Sequence, residues 1–152
     1  MTMYPPPPET SPPPYQGGAS GPRAGFWRRF GSSFIDGIII GIPTGIISTS
    51  SSRGAGYGIG LVIGAVYFTL MIGSSRGQTL GKMVAGIRVI DFNTGGPIGY
   101  GRAFIRWIVS YVSLIALLIG YLWMLWDKEK QCWHDKAAND VVVPVFHYPI
   151  QS

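Results

Sequence analysis

Three stretches of this chain are long, apolar and nearly free of acidic or basic side chains. Phe30 to Thr49 carries one, Asp36; Gly54 to Ser75 carries none, with Tyr57 to Gly73 as its apolar centre; Trp107 to Trp126 again carries none. About 20 helical residues rising ~1.5 Å each cover a ~30 Å hydrocarbon core, so each stretch has the length to matter in a bilayer. Two shorter runs, Ile87 to Asp91 and Val141 to Val143, are rich in β-branched residues, and the turn-like Asn93 to Gly96 follows the first. A lone two-stranded hairpin is marginal in water, so the two runs are expected to share one small sheet on one side of the membrane. The pattern predicts an all-α integral membrane protein: two transmembrane helices, a third membrane-embedded or crossing segment, and a small cytoplasmic β element.

The third stretch admits two paths. A single crossing would put Lys128, Lys130 and Lys136 on the outer side, against the preference of basic loops for the cytoplasm. The reading favoured here has the segment from Gly101 lie amphipathically to about Tyr111, then dip in and return; backbone freed at such a bend must be buried in protein. Arg23, Arg28 and Arg29 precede the first span, Arg53 alone separates the first two, and Arg76, Lys82, Arg88, Arg102 and Arg106 follow the second. The N-terminus is therefore expected in the cytoplasm, with a short outer turn over Ser48 to Gly56.

Composition sharpens this picture. Asp, Glu, Lys and Arg make up 12% of the 152 residues, against roughly 25% in a soluble domain. The net charge of +5 would suit nucleic acid, but the basic residues flank the apolar stretches instead of forming one stripe, so no nucleic-acid partner is expected. All five tryptophans stand at or just outside the ends of those stretches, where an indole prefers the headgroup zone. Cys132 is the only cysteine, which excludes an internal disulfide. Eight of the twelve prolines lie in the first 22 residues. The division expected is a disordered proline-rich tail over 1–25, a membrane domain over 26–146 and a C-terminal tail over 147–152. The proline tail lacks the charged and apolar runs of a signal peptide and is expected to be retained, as a spacer or as a strip for a proline-binding partner.

Glycines recur every fourth residue in both spans: Gly37, Gly41 and Gly45 in the first, Gly56, Gly60 and Gly64 in the second. Such strips let helix backbones approach closely in lipid, and here they predict packing of span one on span two, with docking of another subunit as the alternative. Pro43 predicts a kink, with Thr44 and Ser48 placed to satisfy a freed carbonyl.

Ionised groups inside a span are costly, ~2.5 to 3.5 kcal/mol for a central Asp, so Asp36 must have a partner. The candidates are Arg29 on nearly the same helix face, or Arg76 and Lys82 arriving from beyond the second span. Either a register-fixing ion pair or a protonatable site on an ion path would result. Asp135, in CWHDKAAND, is expected to pair with an arginine at the mouth of the helix bundle if the C-terminus is cytoplasmic. Cys132 and His134 are too few for a closed metal site, and no metal or cofactor is expected. GQTLGKMVAGIRVID, from Gly77 to Asp91, lacks the spacing of a phosphate loop. No set of nucleophile, base and acid is visible, so an enzyme is not expected.

Taken together, RRFGSSFID, GQTLGKMVAGIRVID, GRAFIRW and WHDKAANDVVV resemble the RDD family of small multi-pass membrane proteins, named for one arginine and two aspartates. The likeness covers about Phe26 to Val145, and a proline-rich leader before such a domain resembles the proline-rich antigens of actinobacteria. It implies that the family's arginine is Arg29, its first aspartate Asp36 and its second Asp135. Where the family often closes with AGTxVV this chain has AANDVVV, which leaves the form of the last strand open. The likeness implies a bacterial plasma-membrane location, and cation and proton exchange has been suggested for some members. Two roles follow: an accessory or assembly subunit of a larger membrane complex, or a small cation/proton exchanger with Asp36 as its carrier.

Overall fold

The computed structural model describes residues 21–50, 53–116 and 119–150. The proline-rich residues 1–20, and the expectation attached to them, lie outside that range. Helix α1 runs over Phe26–Ser50 and α2 over Arg53–Gly73. At ~1.5 Å per residue these are about 38 and 32 Å long, and both are apolar enough to cross a membrane. Only 11% and 17% of the residues in their most apolar windows are buried within the chain, so lipid must cover the rest.

The two spans form an antiparallel hairpin. An added Cβ at Gly56 would meet Ser48 at 2.6 Å and one at Gly60 would meet Thr44 at 3.5 Å, so the glycine strip of α2 does pack on α1. The strip of α1 does not. A Cβ added at Gly37, Gly41 or Gly45 would meet nothing within 4 Å, which corrects the expected glycine-to-glycine seam. The reason is polarity: Asp36, Thr44 and Ser48 share the neighbouring face one residue round, and in lipid the polar face turns inward. Helix α1 continues through Pro43, with Thr44 Oγ1 donating to Ile40 O at 2.8 Å and Ser48 Oγ to Gly45 O at 2.8 Å.

After α2 come a short helix α3 (Leu80–Val84) and strand β1 (Ile87–Asp91); after helix α6 (Trp133–Ala138) comes β2 (Asp140–Pro144). The strands pair antiparallel, Val89 opposite Val142 and Asp91 opposite Asp140, as the β-branched runs predict. Neither face of this small sheet meets water. Ile87, Val89 and Val142 pack with Ala24, Ile72, Ile98 and Ala103, while Ile90, Val141 and Val143 pack with Tyr148 and Phe92. The folded body extends beyond residues 26–146: Ala24 N–H donates to Val142 O at 2.9 Å, and Tyr148 is buried on the far face of the sheet. Asn139, with φ 50°, ends α6 in the left-handed region that asparagine tolerates, and β2 follows it directly, which settles the form of the last strand.

Helix α4 (Gly99–Ile115) runs antiparallel to α2: Tyr100 lies against Gly73 at the end of that helix, and Trp107 and Tyr111 lie against Gly64 at its middle. Residues 119–125, as helix α5 (Ile119–Leu122) and a 3-10 turn, then head away at 112° to α4. Because β1 and β2 are paired, the chain between them starts and finishes on one side. The third segment therefore dips in and returns. The part up to Tyr111 descends beside α2 instead of lying along the surface as expected, because the α2 glycines leave room for its aromatic rings.

Candidate functional site: a buried charge cluster

At one end of the spans, under the sheet, the few ionised side chains of the membrane body converge. Asp36 is fully buried and receives Tyr67 Oη at 2.9 Å, Thr79 Oγ1 at 2.5 Å and the Gly81 N–H at 2.9 Å, with Lys82 Nζ at 4.0 Å. Thr79 is also the N-cap of α3, so one carboxylate ties α1, α2 and the start of α3 together. Gly81 makes this approach feasible: a Cβ there would stand 2.1 Å from Ser32 O. Of the expected partners, Lys82 is found; Arg29 turns to Asp135 instead, and Arg76 stays exposed after α2, away from the cluster.

A second group lies beside it. Arg29 Nη1 donates to Asp135 Oδ2 at 2.5 Å, and Arg106 Nη1 donates to both Asp135 Oδ1 and Asp140 Oδ1. The Cys132 N–H adds a further bond to Asp135 Oδ2 at 2.9 Å. Burial alone would raise the Asp135 pKa, yet Arg106 and Arg29 hold it well below the ordinary carboxylate range. Asp140 moves the other way, pushed up to about 7 by burial and by the Asp135 charge, and its Oδ2 has no hydrogen-bond partner. Burial lowers Lys82 to about 8 and His134 to about 3, so His134 is neutral at ordinary pH.

The pairing of Asp135 with an arginine was legible; the roles of Arg106 and Asp140 were not. Their signal was present in GRAFIRW, whose Arg102 and Arg106 share one helix face, and both reach the junction of α6 and β2. Arg102 donates to Ala138 O at 2.7 Å and Asn139 O at 2.5 Å.

Cys132, His134 and Asp135 place three ligand atoms within 4.8 Å of one another. Two guanidinium groups already occupy the Asp135 oxygens and oppose a cation, and burial pushes the Cys132 thiol up to about 12. The same two facts leave this trio without an activated nucleophile. Between α1 and α4 a cavity of about 530 Å³ opens onto the cluster, with Asp36, Lys82, Arg29, Arg106 and His134 at its charged end and Ile40, Phe68, Tyr111 and Leu114 along its walls.

Arg29, the span-buried Asp36 and Asp135, in that order along the chain, all fall within the match to one family model: the RDD family model matches residues 23–139. The chain belongs to the RDD family. Among relatives of this RDD chain, a proline-rich antigen homolog of Mycobacterium tuberculosis is 35% identical over 69 residues, which is 45% of this chain and 29% of that protein. The proline-rich antigen of Mycobacterium leprae is 36% identical over 69 residues, 45% of this chain and 28% of that protein. The match thus spans less than a third of the length of these relatives. The uncharacterized membrane protein YteJ of Bacillus subtilis is 30% identical over 134 residues, 79% of this chain and 80% of that protein. No solved structure matches. Like the last of these relatives, the RDD chain is a membrane protein.

Proposed function

We infer that this RDD protein is a non-enzymatic accessory or assembly subunit of a larger complex in the bacterial plasma membrane, with its N-terminus and sheet in the cytoplasm. The observation that carries this reading is a face of α1 that is left uncovered among the described residues. Gly37, Gly41 and Gly45 form a bare strip between exposed Ile38, Ile42 and Ile46, whereas the matching strip of α2 is consumed by α1 and α4. In a bilayer such a strip offers another helix close backbone contact. Asp36, saturated by donors, acts as a structural pin. The basic residues at this end of the spans support the orientation.

Purification in mild detergent, with quantitative identification of co-purifying membrane proteins, tests this. Gly45→Leu should cut the recovered partner at least tenfold and leave the thermal midpoint unchanged, because a side chain there meets only open space. Recovery of a lone species under crosslinking, or unaltered partner recovery in the variant, would overturn the reading. The exchanger reading is favoured by one observation, that Asp36 and Lys82 border the cavity. It requires cation-driven proton flux in vesicles that Asp36→Asn abolishes in a folded protein, and normal flux in that variant ends it.

A further inference from the structure

The charged end of the cavity presents cationic donors that the carboxylates around them do not fill. Three cations border it, Arg29, Lys82 and Arg106, against one carboxylate, Asp36; Asp135 and Asp140 stand behind the arginines, fully buried and away from the cavity lining. Lys82 is 8% exposed, and among the described residues its Nζ makes no hydrogen bond, its nearest carboxylate oxygen standing 4.0 Å away. An ammonium carries three donors, so a buried one without acceptors is costly unless something else supplies them. Arg106 uses only Nη1 for its two aspartates, which leaves Nε and Nη2 without hydrogen bonds among the described residues.

Apart from Ser32, Ser33, Ser110 and His134, the rest of the lining is mainly apolar and aromatic, and most of it is contributed by α1, α2, α4 and α5, the elements that lie at membrane depth. The ligand must therefore bring an anion at one end and hydrocarbon at the other. A helix of a second copy does not: the spans and α4 contain no acidic residue besides Asp36 itself. Free inorganic phosphate would leave the apolar walls unfilled. The volume, about 530 Å³, lies within the ~300–1,000 Å³ of small-molecule sites.

We propose that this cavity binds one anionic phospholipid from the surrounding leaflet, its phosphate accepting from Lys82 Nζ and the free edge of the Arg106 guanidinium, and an acyl chain lying between α1 and α4. Arg29 is not part of the headgroup contact, since its Nε, Nη1 and Nη2 already donate to Ala24 O, Asp135 and Val142 O. Of the strip offered to a partner helix, Gly37 and Gly41 also line this cavity and Gly45 does not, so Gly45→Leu probes partner docking alone and the lipid readout probes the cavity.

The test is native mass spectrometry of the full chain released from detergent micelles doped with phosphatidylglycerol or phosphatidylcholine. One phosphatidylglycerol per chain should be retained at least tenfold more than phosphatidylcholine. Lys82→Gln should lower that retention at least tenfold. Gly41→Leu, which fills the cavity from a position where a Cβ meets nothing within 4 Å, should do the same without touching a charge, and it carries the test if Lys82→Gln does not fold. Equal retention of the two lipids, or wild-type preference in the folded variants, would overturn the proposal. Displacement of the lipid by millimolar inorganic phosphate would also overturn it, because the site would then be one for a free anion.

Discussion

At the residue scale the chain turns on how few charges sit where water is scarce. Asp135 accepts from two arginines and a backbone N–H, and removing its charge leaves Arg29 without a carboxylate and Arg106 with Asp140 alone. Breaking a buried pair from one side costs ~3–5 kcal/mol, so Asp135→Asn should lose about that much, measured as a fall in the thermal midpoint in detergent. Two neighbours give the cluster opposing pH responses. His134 falls from 6.5 to about 3 on folding, so between those values the unfolded chain binds more protons and the stability contributed is lost as pH falls. Asp140 rises from 3.8 to about 7, so the folded chain keeps its proton longer and stability declines as pH climbs through that window. Over pH 4 to 6.5 the two slopes oppose each other. His134→Gln should make stability decline more steeply with rising pH there and Asp140→Asn should make it rise more steeply, read from thermal midpoints across that range.

The elements show how an apolar pattern is oriented by its few polar members. Helix α1 carries a glycine strip and a polar strip one residue apart, and the polar strip wins the inner position because Asp36 must reach Tyr67, Thr79 and the start of α3. That junction depends on Gly81, whose backbone sits against Ser32 O and the Asp36 carboxylate. Gly81→Ala should cost ~1–3 kcal/mol by overpacking, although alanine is the better helix former, and chemical denaturation in micelles would measure it. The small sheet needs no strand beyond its two because its faces are covered by helices on one side and by Tyr148 and Phe92 on the other. Its β-branched residues made the strands legible in advance; their burial depended on residues distant in sequence.

For the whole molecule, the sheet decides the path of the third membrane segment. Strands separated by that segment are hydrogen-bonded to each other, so it cannot end on the far side. Single cysteines introduced at Lys128 and Arg76, both exposed, should therefore react with an impermeant thiol reagent from the same side of intact membranes, while one introduced at Tyr57 near the outer turn should react from the opposite side. Labelling of the first two from different sides would refute the dip-and-return path. The buried native Cys132 does not interfere.

The sequence alone determined the solvent, the length and number of the apolar helices, the two strands, and the need of Asp36 and Asp135 for partners. These follow from local composition and periodicity, and from the cost of charge in hydrocarbon, which holds in any arrangement of the chain. Tertiary structure alone decided that Lys82 and not Arg29 or Arg76 stands by Asp36, that Arg106 bridges Asp135 and Asp140, and that α1 keeps its glycines outward. Each of those choices depends on the rotation of a helix about its axis, where one residue is a turn of ~100°, and on contacts between segments far apart in the chain. A single sequence with its charges in plain sight does not specify either one.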